Sequence, residues 1–166
     1  IMGGTPRILE LCREWDAKLI YSASSSKFGN DGADENLSPY SWMKSKMVEL
    51  IKNYGDWFGL EYQINYFFNV YGPVQITHCT VVTPGTQCRD FTHVDDIIEG
   101  VIKSTIYHMP NQEWYLRSGV SRSIVEVARL FGSFKFIPTR KGERTESAWI
   151  DNHTNKLYLV VLVLHF

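Results

Sequence analysis

Two β-prone runs joined through one long amphipathic segment constrain this chain more than any other feature. The runs are Lys18–Ser22 (KLIYS) and Glu61–Phe68 (EYQINYFF). Between them, Ser38-Pro39 carries a helix-start signature, a capping hydroxyl followed by a proline whose missing N–H costs nothing at the first helical position. Met43, Met47, Leu50, Ile51, Tyr54 and Phe58 then mark one apolar face, and Gly59 supplies the stop. Two strands joined through a helix of that length run parallel in one sheet, with a right-handed crossover. The chain is therefore expected to be α/β.

The remaining elements agree with that class. Thr5-Pro6 repeats the cap-and-proline signature, and Ile8, Leu9, Cys12 and Trp15 recur at helical spacing, so a helix is expected to open there. Tyr71-Gly72-Pro73 and Pro84-Gly85 punctuate a stretch of short strands, Asp95 opens a helix through Ile106, and Ile124–Phe131 with Gly132 makes another. The tail Leu157–Phe166 (LYLVVLVLHF) is rich in β-branched residues and reads as a buried or sticky strand, too short to cross a bilayer. A length of 166 residues, 44% apolar and 21% charged, suits one compact domain. The aromatics Trp42, Tyr54, Trp57, Phe58, Tyr62 and Tyr66 lie on these elements without basic residues between them, so they are expected in the core rather than as a base-stacking surface.

Charge and cysteine usage narrow the function. A net charge of −1 offers no broad attraction for nucleic acid or an anionic membrane, so any phosphate binding has to rest on a few placed arginines. Cys12, Cys79 and Cys88 show neither CxxC spacing nor a histidine at metal-site spacing, which reads as reduced thiols in a cytoplasmic protein without a structural metal.

The residues able to do chemistry cluster where the first strand meets the long helix. Tyr40 and Lys44 stand four apart in YSWMK, on one helical face. A phenol is a poor base at neutrality unless a cation stabilises its phenolate, and Lys44 can be that cation. Taken alone the pair is a weak signal, since a half-buried Tyr beside a solvated Lys is the commoner outcome. The serine cluster Ser22, Ser24, Ser25 and Ser26 follows the first strand, where hydroxyls at the carboxyl end of a parallel sheet face a ligand crevice. His93, between acids in RDFTHVDD, reads as a group that satisfies backbone at a strand-to-helix turn, with Asp95 or Asp96 as helix cap.

The ordered set is more specific than its members. It runs from strand to serine cluster, Phe28-Gly29, polar loop, Pro39-Tyr40-x-x-x-Lys44-Ser45-Lys46, helix and strand, then Phe68-Asn69-Val70-Tyr71-Gly72-Pro73. Arg89-Asp90-Phe91-Thr92-His93-Val94-Asp95-Asp96 and Arg140-Lys141-Gly142-Glu143 follow. This order, from about Gly3 to Leu157, resembles the extended short-chain dehydrogenase/reductases of the nucleotide-sugar epimerase/dehydratase family. The resemblance implies a partial Rossmann-like parallel sheet, its C-terminal half, with a small α/β substrate-binding part. Residues 1–73 would carry the Rossmann-like half and 74–166 mostly the substrate part, with 86–106 returning to the sheet.

Residue by residue, the resemblance makes Tyr40 the acid/base that exchanges a proton with a sugar hydroxyl. Lys44 would support the phenolate and bind the nicotinamide ribose of NAD or NADP, and Ser24 would hydrogen-bond the reacting hydroxyl. Phe67 would meet the nicotinamide amide through its backbone, and Asn69, Arg89 and Arg140 would hold the diphosphate of a nucleotide-sugar substrate. For the two arginines the forked guanidinium suits phosphate, and the competing reading is a surface salt bridge to Asp90 or Glu143. Family 4,6-dehydratases carry acids where this chain has Ser25 and Ser26, which favours an epimerase and leaves a keto-sugar reductase or dehydratase as alternatives. A homodimer through the tyrosine-bearing helix is also implied.

The departures are as specific. No GxxGxxG occurs; Gly29-x-x-Gly32 sits in a polar loop with no helix start behind it to receive a pyrophosphate. The cofactor cradle and the first βαβαβ half are expected to lie ahead of Ile1, and cofactor binding by this chain alone is in question. The segment Pro73–Thr86 is shorter than the family's, and YLVVLVLHF replaces its usual continuation. A non-catalytic fragment or sugar-nucleotide-binding remnant is therefore the alternative from a different class.

Overall fold

A computed structural model describes residues 3–28, 36–73, 80–106, 109–139 and 141, and the backbone of 157–160. Its central feature is a four-stranded sheet of β1 (Leu19–Ser24), β2 (Tyr62–Phe67), β6 (Gln112–Arg117) and β9 (Leu157–Val160), in the order β1-β2-β6-β9. All three pairings are parallel. The helix between the first two strands, α2 (Pro39–Phe58), makes the crossover that the spacing of the two β-prone runs requires.

Alternation along the strands sorts side chains between two layers. Ala23, Ile64, Tyr66 and Tyr115 turn to one face and pack with Leu9 of α1 (Gly4–Glu14) and Val48, Ile51 and Tyr54 of α2. Phe67, Trp114 and Leu116 turn to the other and pack with Ile97 and Val101 of α3 (Val94–Ile106). Each fully buried aliphatic such as Ile51 or Ile64 contributes about 1.5–3 kcal/mol. Register on the α3 face is also written in buried polar pairs. Gln63 donates to the Met109 carbonyl at 2.6 Å and accepts from the Trp114 indole at 2.6 Å, while Asn65 donates to Ser104 Oγ at 2.9 Å. Shifting β2 by one residue would strand each of these groups in an apolar layer.

Two smaller sheets stand beside the main one. In the first, β3 (Asn69–Tyr71) pairs parallel with β5 (Cys88–His93), which pairs antiparallel with β7 (Ser121–Ser123). In the second, β4 (Thr80–Val82) pairs parallel with β8 (Lys135–Ile137), and α4 (Ile124–Leu130) packs nearby. Among the described residues no helix is long and apolar enough to cross a membrane.

The α/β class and the parallel sheet are as expected, and so is α2 with its ends. Ser38 Oγ accepts the Ser41 N–H at 3.1 Å, Pro39 is the first helical residue, and Gly59 closes the helix at φ +70°. Several local expectations fail. Helix α1 starts at Gly4, with Gly3 rather than Thr5 in the cap position and no side-chain cap. The run Glu61–Phe68 is one strand as expected, β2, trimmed by a residue at each end, and β3 leaves for the second sheet at Asn69. Trp42, Trp57 and Phe58 are not core residues, being 39%, 62% and 48% exposed. Tyr54, Tyr62 and Tyr66 are buried as expected. In the tail, Leu157–Val160 joins the main sheet, and 161–166 lies outside the described residues.

Candidate functional site

Parallel pairing brings the carboxyl ends of three neighbouring strands into one row, with Ser24 opposite Phe67 and Phe67 opposite Leu116. In open α/β sheets this rim is where ligands bind. Immediately past Ser24 the chain makes a 3-10 turn, Ser25–Phe28, anchored from below by Phe28. The Phe28 ring is buried against Tyr66 and Tyr115, at centroid distances of 5.1 and 5.9 Å, and the Lys27 ammonium donates to the Tyr66 hydroxyl at 3.2 Å. The turn sets the hydroxyls of the cluster. Ser24 Oγ accepts from the Ser26 N–H at 3.2 Å and from Ser26 Oγ at 2.9 Å, which leaves its own proton to donate.

Helix α2 begins above the same rim and carries Tyr40 and Lys44 in its first turns, because Ser38 and Pro39 start it there. The Lys44 ammonium donates to the Ser22 carbonyl at 3.0 Å and lies 5.3 Å from the centroid of the Tyr21 ring. Tyr40 is 47% exposed, so its phenol is open to a ligand. Tyr21 on β1 and Tyr40 on α2 are close enough to repel when ionised, which, after burial, pushes the Tyr21 phenol up. The Lys44 ammonium thus reaches the backbone of the serine cluster on β1, from a position one helical turn along α2 from Tyr40.

The other residues singled out in the sequence fall less simply. Phe67 ends β2 at the rim, half-buried against Ile97, Trp114 and Leu116. Asn69 opens β3 beside Phe91, partly exposed. Arg89 lies on β5 opposite Arg122 and is 7% exposed, with Nη1 donating to the Cys88 carbonyl at 2.7 Å. Asp90 is held by Arg117, at 3.1 Å from Nε. His93 Nδ1 accepts the Asp95 N–H at 3.3 Å at the start of α3, and its ring meets Tyr71 edge-on. Arg140, and with it Gly29, Cys79 and Glu143, lies outside the described residues. Two residues of the rim escaped sequence reasoning, Tyr21 and Lys27. The period-2 pattern that sends Leu19 and Ala23 beneath the helices carries Tyr21 with them, and that signal was available.

The nicotinamide side of a dinucleotide fits what is present: an exposed phenol and a reachable ammonium at the carboxyl rim of a parallel sheet. The pyrophosphate side has no counterpart in the sequence, which lacks a glycine-rich turn leading into a helix.

Comparisons with known proteins bear on the family and the fold. Residues 2–105 match the family described as the NAD dependent epimerase/dehydratase family. The chain is similar to a UDP-glucuronate 4-epimerase of Thermodesulfobacterium geofontis, 31% identical over 125 residues, which cover 61% of this chain and 39% of that protein. Among solved structures it is similar to MoeE5 in complex with UDP-glucuronic acid and NAD, with a TM-score of 0.75, 25% identity, and coverage of 87% of this chain and 59% of that one. It is also similar to the UDP-N-acetylglucosamine 4-epimerase of Methanobrevibacter ruminantium M1, with a TM-score of 0.76, 21% identity, and coverage of 89% and 59%. The latter likeness speaks for the fold. The chain thus spans 39% of the length of the curated relative and 59% of each of these two structures.

Proposed function

The chain belongs to the NAD dependent epimerase/dehydratase family, and from that premise we propose that it is the catalytic and substrate-binding portion of a nucleotide-sugar epimerase. The observation that supports the reading is at β1, where Lys44 donates to the Ser22 carbonyl one helical turn from the exposed Tyr40.

Tyr40 exchanges a proton with a sugar hydroxyl through its phenolic oxygen. Lys44 stabilises the phenolate by charge, and its bond to the Ser22 carbonyl keeps the ammonium from swinging into solvent. Ser24, which already accepts two hydrogen bonds, gives its remaining proton to the reacting hydroxyl and so orients it. NAD, when bound, supplies the hydride acceptor and donor that transient oxidation of the carbinol needs. Lys44 and the Phe67 backbone, both at the rim, are the groups that would hold its nicotinamide end. Asn69, Arg89 and Arg140 take the substrate's diphosphate. Ser25 and Ser26, standing where a dehydratase needs acids, favour epimerisation over elimination. In this reading residues 1–73 carry the catalytic half and 74–166 chiefly the substrate side.

The alternative is a chain that binds a sugar nucleotide without turning it over. Turnover of UDP-glucuronate and UDP-glucose in the presence of NAD separates the two. For the epimerase, Tyr40→Phe is expected to cut turnover by about 10²-fold or more while NAD affinity stays the same. Equal turnover in both proteins removes Tyr40 from the chemistry. NAD that fails to bind at about millimolar concentration, together with retained UDP-sugar binding, leaves the second reading.

A further inference from the structure

We infer that Tyr21 is a positioning residue: its ring face holds the Lys44 ammonium against the Ser22 carbonyl and so keeps the cation at the Tyr40 end of β1. The inference rests on the reading of Tyr40 and Lys44 above and adds what holds the cation in place.

Two adjacent residues of β1 act on one ammonium. Ser22 offers its carbonyl at 3.0 Å, and Tyr21 offers its ring at 5.3 Å, inside the range where the negative face of a phenol attracts a cation. Successive strand residues point to opposite faces, so a helix-facing ring at position 21 and a backbone carbonyl at position 22 bracket whatever reaches the strand from α2. A lysine without such a bracket spreads over many rotamers, and its charge is then delivered to no fixed point.

Tyr21 is itself anchored by packing. It packs against the core shared by α1, α2 and β2, and its hydroxyl is buried without a hydrogen-bond partner among the described residues. The titratable groups that meet here are Tyr21 from β1 and Tyr40 and Lys44 from α2. Burial first, and the Tyr40 charge second, push the ionisation of Tyr21 upward, so it stays a neutral ring where an exposed phenol begins to ionise. Of the two phenols, one is open to a ligand and the other serves as the cation's platform.

NMR of the full chain, with lysine labelled at 13Cε and the Lys44 resonance identified by its loss in Lys44→Met, tests this. The Lys44 ε-protons are expected to be displaced upfield by the ring in the unsubstituted chain and in Tyr21→Phe, which keeps the ring, and to return to the shift of an open lysine in Tyr21→Leu. Turnover of UDP-glucuronate with NAD gives the second readout: Lys44→Met is expected to lower kcat by about 10²-fold, Tyr21→Leu by about threefold with KM kept, and Tyr21→Phe to leave it in place. Lys44 ε-protons unmoved by Tyr21→Leu, or a kcat unmoved by it while Lys44→Met still lowers kcat, overturn the role of Tyr21 and leave the reading of Lys44 standing. A kcat unmoved by Lys44→Met overturns both. If Tyr21→Phe behaves like Tyr21→Leu, the hydroxyl and not the ring acts, and the assignment fails. Where circular dichroism finds Tyr21→Leu unfolded, Tyr21→Met takes its place with the same expectations.

Discussion

On Glu113 two cations and a phenol converge. Its carboxylate forms an ion pair with Lys52 of α2, accepts from the Tyr66 hydroxyl at 2.9 Å, and feels the charge of Lys27. Burial alone, the largest single influence, pushes Glu113 up; the Lys52 bond and charge, the Tyr66 bond and Lys27 together outweigh it and hold the group below its ordinary value of 4.5. A carboxylate depressed by folding adds stability that is complete above its unfolded value and is lost as pH falls through the folded one. Glu113→Gln is therefore expected to cost about 1.5 kcal/mol at neutral pH, toward the lower end for a hydrogen bond to a charged group because Lys52 is partly solvated. The gap between the two proteins should close as the solution is acidified below the carboxylate range. Urea unfolding at neutral and acid pH checks it, and a gap that widens in acid would reverse the sign of the argument. None of this was legible in the sequence, where Lys52 and Glu113 stand 61 positions apart and only sheet register brings them together.

At the scale of elements, what could be read in advance was what is decided locally. Both ends of α2 were legible because a cap hydroxyl, a proline and a glycine act within a turn of themselves. Catalytic candidates Tyr40 and Lys44 inherit that legibility, since the helix start fixes where they stand relative to β1. Removing the caps should cost what isolated caps cost. Ser38→Ala loses the bond to Ser41 N–H, and Gly59→Ala puts a Cβ at φ +70° with no atom within 4 Å to clash, so the penalty is backbone strain alone. Each is expected to lower stability by about 1 kcal/mol, and the double variant by their sum, because the sites lie at opposite ends of a 20-residue helix. A double variant markedly off that sum, in denaturant titrations, would mean that the ends communicate. The failures have the opposite character. Trp57 and Phe58 continue the apolar pattern of α2 yet stand exposed, the Phe58 ring under the Arg13 guanidinium of α1 at 4.3 Å. The passage of the chain from β2 to a second sheet at Asn69 was not legible either, since hydrophobicity marks burial but not which sheet receives the strand. Arg89 was read by its neighbours in sequence, and its burial on β5 depends on β7, more than thirty residues away.

For the molecule as a whole, the question is what couples the main sheet to the smaller one that carries Asn69 and Arg89. The answer is the carboxylate of Asp90. From β5 it reaches the end of β6 and the turn beyond, accepting from Arg117 Nε at 3.1 Å, Ser118 N–H at 2.9 Å, Ser118 Oγ at 2.8 Å and Gly119 N–H at 2.8 Å, with Thr92 Oγ1 at 3.3 Å on its own strand. Arg117 also lies over the Phe68 ring, at the point where the chain leaves β2 for β3. One buried charge thus ties together the passage from the first sheet to the second and the return from β6 to β7. Asp90→Asn keeps the shape but turns one acceptor into a donor facing other donors, and it strips Arg117 of its counter-charge in a site only 2% exposed on the carboxylate side. The expected cost is about 3 kcal/mol, and it should fall unevenly. Since the main sheet's two apolar layers do not involve Asp90, amide exchange should accelerate first in β5, β7 and the Ser118–Gly119 turn, while β2 and the buried face of α2 keep their protection until global unfolding. Uniform acceleration would mean that the two sheets open as one cooperative unit, and that the rim of the site is no more rigid than the arm proposed to carry the substrate's phosphates.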